Sequence, residues 1–158
     1  DFHRKIVVAD QADLGAPRWG ELQLRIFGTR VLKLDDQPNK DDPDFINPEL
    51  QEIRRPLWVV NSNIQWNWEQ LTLNYVLTFL GKQALDDVEI ETGRETFVNP
   101  FADRFYIHDL AGSYEVVKDL TVYGGVNNIT GVDPIATSTS YPVSPVGRPF
   151  FLGVSSRL

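Results

Sequence analysis

No cysteine and no methionine occur in this 158-residue sequence. No apolar run approaches the roughly 20 residues that a membrane-spanning helix needs. The first absence excludes disulfides and cysteine metal sites. The second, in a chain that starts at Asp1, makes Asp1 an unexpected biological start. The third excludes helical spans, and leaves open spans made of strands, whose signal is weaker per segment. Positive charge is in deficit: Lys and Arg number 15 against 22 Asp and Glu, a net charge of −7. That balance argues against nucleic acid as a partner. Histidine is nearly absent, with only His3 and His108, too few for a His-rich metal site. Helical periodicity beyond a turn or two is missing as well. Aromatic residues are plentiful: four Trp, five Tyr and nine Phe.

The length suits one domain, and period-2 alternation runs through it. The clearest case is Trp58 to Trp68. Trp58, Val60, Ser62, Ile64, Trp66 and Trp68 fall on one face, and Val59, Asn61, Asn63, Gln65 and Asn67 on the other. A helix, with its period near 3.6, would mix these sets. Glu69 and Gln70 then turn the chain. Leu71 to Lys82 places Leu71, Leu73, Tyr75, Leu77 and Phe79 opposite Thr72, Asn74, Val76 and Thr78. Further strands are expected over Phe2 to Ala9, Trp19 to Leu34, Arg104 to Val117, Leu120 to Asn128 and Gly147 to Leu158. In the last of these, Phe150, Leu152, Val154, Ser156 and Leu158 share one face, so the chain ends without a polar tail.

The connections alternate in length. They are short before Trp19, at Glu69 and at Lys118. They are long from Asp35 to Pro56, rich in proline and acids, from Gly81 to Asp103, acidic with glycine and proline, and from Ile129 to Val146, rich in Gly, Pro, Ser and Thr. An up-and-down antiparallel barrel in an outer membrane has this rhythm, with periplasmic turns and extracellular loops. The dimensions agree: ten steps from Trp58 to Trp68, at about 3.3 Å and a tilt of about 45°, rise roughly 23 Å. The lipid-facing band of such barrels is about 25 Å tall and edged with aromatics. Trp58 and Trp68 are then expected in the two girdles. The competing architecture is a soluble β-sandwich that binds a carbohydrate or a partner, with one face buried and one solvated.

The order of motifs beyond Asp109 points to a family. Asp109-Leu-Ala-Gly-Ser-Tyr114 is followed by Leu120-Thr-Val-Tyr-Gly-Gly-Val-Asn-Asn128, then Tyr141-Pro142, then Gly147-Arg148 and the apolar closing strand. This succession resembles the C-terminal end of TonB-dependent outer-membrane receptors. It departs from them at Leu158, where Phe is usual, and at Ser156. Upstream, the likeness lies only in the strand-and-loop rhythm. The resemblance implies the C-terminal six to seven strands of a plugged barrel of about 22 strands. The plug, the N-terminal strands and the segment that engages TonB would lie outside these residues. It also implies that Phe150, Leu152, Val154 and Leu158 face lipid and form the signal read by the barrel-assembly machinery. Two open strand edges are not viable in lipid, so the first and last strands are expected to pair with the rest of the barrel.

No catalytic constellation is visible, and no cofactor or metal is implied. Ser113 and Ser155 have no base nearby in sequence. His108 and Asp109 are sequence neighbours and so face opposite sides of a strand. The acidic stretches Asp35 to Asp44, and Asp86, Asp87, Glu89 and Glu91, lack EF-hand spacing and read as solvated loops. The Asn128-Ile129-Thr130 sequon reads as coincidence. Ligand contact is the useful expectation. By the resemblance, a small molecule or glycan meets the upper inner wall and the extracellular loops. The candidates by position are Asn61, Asn63, Gln65 and Thr78 on the wall, and Arg94, Phe97, Phe101 and Tyr141 in the loops. The full protein is expected to be a transporter of an iron chelate, a corrinoid or a glycan, and not an enzyme.

Overall fold

The computed structural model describes residues 2–4, 19–37, 41, 47–84, 101–135 and 140–157, with side chains described except at 2–4 and 47–48. These residues form strands and no helix. In chain order they are β1 (Phe2–Arg4), β2 (Glu21–Arg30), β3 (Asp35–Asp36), β4 (Asn47–Pro48), β5 (Trp58–Trp68), β6 (Leu71–Leu80), β7 (Gln83–Ala84), β8 (Phe101–Ala102), β9 (Phe105–Val117), β10 (Leu120–Val126) and β11 (Phe150–Ser156).

Seven of them make one sheet in the order β1-β2-β5-β6-β9-β10-β11, every neighbour antiparallel. Each strand pairs with the next long strand in sequence, so the sheet is a meander. The two short pairs, β3 with β4 and β7 with β8, are ribbons inside the first and second long loops. The third long loop has no strand among the described residues.

The turns set the register. β5 and β6 are joined at Trp68↔Leu71, with Glu69 in the left-handed region at φ 50°. β9 and β10 are joined at Val117↔Leu120, with Asp119 at φ 65° and a bulge just after it. Two stitches reinforce this end: Glu115 N–H donates to Gln70 O, and Arg157 N–H to Asp119 O. Once set, the register keeps each period-2 set on its own face along the whole sheet. Leu24↔Ile64↔Tyr75↔Leu110↔Val126↔Phe150 is one continuous apolar row. Gln23↔Gln65↔Asn74↔Ala111 is the neighbouring polar one.

No second layer covers either face among the described residues. The buried apolar residues, Leu80, Ala84, Ile135 and Val143, all lie at the long-loop end. On the closing strand Phe150, Leu152 and Val154 are 75%, 82% and 63% exposed. A β-sandwich buries such a face against a second sheet about 10 Å away, and none is present among the described residues.

Strand ends differ slightly from the sequence pattern. β2 stops at Arg30, although Val31 N–H still reaches Leu57 O at 3.0 Å. β10 stops at Val126, because Asn128 takes a left-handed conformation at φ 54° and turns the chain away. Residues 5–18 lie outside the described part, so the first expected strand is seen only at Phe2–Arg4.

Candidate functional site

The apolar face carries aromatic groups at both of its ends. Near the long loops, Phe79 and Tyr106 pack with centroids 5.2 Å apart, and the Arg30 guanidinium sits 5.3 Å from the Trp58 ring centre. Near the short turns, Trp66 and Trp68 stack at 5.8 Å, and Trp66 Nε1–H donates to Trp19 O at 2.7 Å. Trp58 and Trp68 therefore stand at opposite edges of this band, as the strand length predicts. Between the edges, the polar groups on this face include Ser62 and a hydrogen-bonded pair, Tyr75 Oη and His108 Nδ1, 2.6 Å apart. His108 is thus a neighbour of Tyr75 on the apolar face, and Asp109 points the other way.

The opposite face is a wall of amides and hydroxyls. Asn61 and Thr78 are cross-strand partners, and Thr78 Oγ1–H donates to Asn61 Oδ1 at 3.0 Å. Lower down, Asn67 Oδ1 accepts from Gln65 Nε2 at 3.0 Å and from Thr72 Oγ1 at 3.1 Å. Asn63 faces Val76 in the register. Four expected wall residues, Asn61, Asn63, Gln65 and Thr78, thus share one face of two adjacent strands. On β5 and β6 these uncharged donors and acceptors bond each other sideways and form a wettable surface, and charge enters the same face from neighbouring strands at Glu21, Arg25 and Asp109.

Towards the closing strand the polar face turns aromatic. Tyr123 lies over Gly153 and Phe151 over Gly125, each ring covering the glycine directly opposite it. With Thr72, Asn74, Ala111 and Ser113 they border an open recess of about 180 Å³. Only glycine admits the ring: a Cβ at Gly125 would stand 2.6 Å from Phe151 Cζ and 2.6 Å from Leu110 O.

Above the wall, two side-chain nodes organise the long loops. Asn128 is the first, and is 3% exposed. Its Nδ2–H donates to Val132 O at 2.8 Å, and its Oδ1 accepts from Val132 N–H at 2.8 Å. Its own N–H donates to Asp109 Oδ1 at 2.7 Å, and its carbonyl accepts from Arg148 Nε at 3.4 Å. Asp109, Asn128, Gly147 and Arg148 are among the residues that carried the family likeness. They meet in space as a clasp at the root of the third long loop. The amide nitrogen of the sequon is engaged within this clasp.

Gln83 is the second node, and sequence reasoning missed it. It is fully buried. Its Oε1 accepts from Arg54 N–H at 2.6 Å and from Tyr141 Oη–H at 2.8 Å. Arg54 also stands 6.0 Å from the Tyr141 ring centre. Phe101 pairs with Ala84 beside it. Two of the expected loop contacts, Phe101 and Tyr141, are thus brought together at Gln83–Ala84. Burial pushes the Tyr141 phenol above its ordinary value, against a smaller opposite pull from its bond to Gln83 and from the Arg54 charge. Nothing in the sequence marked Gln83, a lone amide between a lysine and an alanine. Arg94, Phe97 and Leu158 lie outside the described residues, as do Asp86, Asp87, Glu89 and Glu91. In the first acidic stretch Asp35 pairs with Lys33 at 2.8 Å.

A single-layer antiparallel meander, apolar on one face and polar on the other, with tight turns at one end and long loops at the other, is a stretch of β-barrel wall. No protein-family model matches the chain, and no curated protein matches it by sequence. Solved structures do match. A point mutant of the ferric enterobactin receptor PfeA from Pseudomonas aeruginosa aligns over 85% of this chain, with a TM-score of 0.58 and 20% identity. A double mutant of the same receptor aligns over 93%, with a TM-score of 0.60 and 20% identity. A mutant in complex with enterobactin gives 85%, 0.55 and 19%. In each case the match takes up 20% of the receptor chain, so this chain spans about a fifth of their length. The fold that this chain shares with them is that of the receptor's barrel wall.

Proposed function

We propose that these residues are the C-terminal part of a plugged outer-membrane barrel that takes up a scarce nutrient. The observation that carries the reading is the two-faced sheet, apolar without cover on one side and amide-lined on the other. In a bilayer the first face meets lipid, and the edges β1 and β11 pair with strands of the same barrel outside this chain. The long loops face the medium and the short turns face the periplasm. Residues 1–158 supply wall, loops and the closing strand, whose Phe150, Leu152, Val154 and Leu158 mark the chain for assembly. A plug in the same protein would occlude the pore and take energy from TonB. The resemblance at Asp109, Asn128, Gly147 and Arg148 supports that finer reading.

The cargo is an iron chelate, a corrinoid or a glycan. Amides at Asn61, Asn63 and Gln65, the hydroxyl of Thr78 and the loop aromatics Phe101 and Tyr141 suit hydroxyl-rich or chelating ligands. They do not discriminate among them, and Arg94 and Phe97 are further candidates. The test is uptake by cells that depend on the intact protein, offered each cargo class in turn. Uptake of one class that stops when the proton-motive force is collapsed is expected. Uptake that survives collapse would indicate a passive pore. A protein that stays soluble without detergent, and shows no mobility shift on boiling, would contradict the barrel itself.

A further inference from the structure

Gln83 is the largest fully buried side chain among the described residues, yet it is polar and sits in a loop. A carbonyl oxygen has two lone pairs, and Gln83 Oε1 uses both on other loops: Arg54 N–H of the first and Tyr141 Oη–H of the third. The next residue extends the junction, since Ala84 N–H donates to Gln51 O at 2.6 Å. Both residues of the first loop at this junction are left-handed without being glycine, Gln51 at φ 76° and Arg54 at φ 72°. Such conformations persist only when the surroundings impose them. Around them, the Arg55 guanidinium spans Glu49 and Glu52 at 2.9 and 2.7 Å. On the other side Tyr141 is fixed by its backbone as well, because Ile135 N–H donates to its carbonyl at 2.7 Å. The hairpin that holds Gln83 is anchored to the wall, where Gly81 N–H reaches Trp58 O at 2.9 Å.

We infer that the described parts of the three long loops form one cooperative unit keyed on Gln83, a positioning residue that holds Tyr141 and Phe101 in place, and that they do not open independently. The unit lies at the extracellular mouth only if the membrane orientation proposed above holds; its cooperativity does not depend on that reading. Among the described residues Gln83 Nε2 has no hydrogen-bond partner. Burying an unpaired amide hydrogen is unfavourable, so the Gln83 side chain contributes to the junction through its acceptor oxygen.

Hydrogen–deuterium exchange on the intact protein in detergent tests this without any ligand. Tyr141→Phe deletes one hydroxyl from the third loop. A cooperative unit predicts faster exchange at Arg54 and Ala84, in the first and second loops, by about fivefold for one hydrogen bond. Gln83→Met keeps the shape and removes the shared acceptor, and should speed exchange in all three loops together. Protection of β5 and β6 should stay unchanged in both variants. Faster exchange confined to the substituted loop, or no change at Arg54 and Ala84, overturns the inference. If Gln83→Met fails to assemble, Tyr141→Phe decides alone. Independent loops in a working transporter would count against this inference only, and coupled loops in a protein without uptake would count against the transport reading only.

Discussion

Asn128→Ala should be among the more damaging single substitutions outside the strands. The residue is 3% exposed and left-handed at φ 54°. Its side chain satisfies both backbone groups of Val132, at 2.8 Å each. Alanine leaves that N–H and C=O without their partners, at roughly 1–3 kcal/mol apiece when buried. It also keeps a Cβ in the left-handed region without the local side-chain hydrogen bonding that lets asparagine tolerate it, at a further 1 kcal/mol or so. Together these give about 3–7 kcal/mol. Asn128→Gly removes the same hydrogen bonds without the backbone penalty, so it should cost about 1 kcal/mol less than Asn128→Ala. Urea unfolding of the intact protein in lipid vesicles, followed by tryptophan fluorescence, measures the difference. Exchange at the Ile129 and Val132 amides locates it at the loop root. The reasoning fails if Asn128→Ala lies within 1 kcal/mol of the natural protein, or if the glycine variant is no better than the alanine one.

Other substitutions separate the two faces, the glycine contacts and the phenol. Ile64→Lys puts a charge mid-strand on the apolar face and should cost about 2–4 kcal/mol in a bilayer, whereas Asn63→Lys next to it should be nearly neutral; vesicle folding titrations compare them. Gly125→Ala drives a methyl group towards both Phe151 and the Leu110 carbonyl, and overpacking of this kind costs about 1–3 kcal/mol. Gly153→Ala meets only the movable end of the Tyr123 ring and should cost less in the same unfolding assay. The Tyr141 phenol is raised above 10.0 by burial, so the protonated donor is the form that the closed loops favour. Its stabilisation should be complete below the ordinary phenol value and fade only as pH rises through the raised one. Loop protection against exchange, corrected for the intrinsic rate, should be flat through neutral pH; a loss below pH 9 would contradict the assigned donor.

The sheet was legible in the sequence because period 2 is imposed locally. Trp58 to Trp68 shows both faces within one strand, and the turns at Glu69 and Lys118 fix its neighbours. Loop interiors were not legible. The ribbons β3–β4 and β7–β8 are two residues per strand, too short for any alternation to appear. The clasp was half legible: its residues were recognised as a succession of motifs, but their meeting depends on β9 and β10 lying side by side. Gln83 left no trace, since its role arises from donors 29 and 58 residues away in the chain. The wall residues Asn61 and Thr78 share one face, and their mutual hydrogen bond follows from the register.

The central claim is that one face of this sheet meets lipid and the other meets water. The chain contains no cysteine, so single cysteines can be placed along it one at a time. Val60, Ile64, Leu73 and Leu152 sample the apolar face, and Asn61, Gln65, Asn74 and Thr78 the polar one. In outer membranes, labelling by a water-soluble maleimide should alternate with period 2, strong at the second set and absent at the first. Labelling of Ile64→Cys and Leu73→Cys as strong as that of Gln65→Cys and Asn74→Cys would mean that the apolar face is not in lipid, and the barrel account would be wrong.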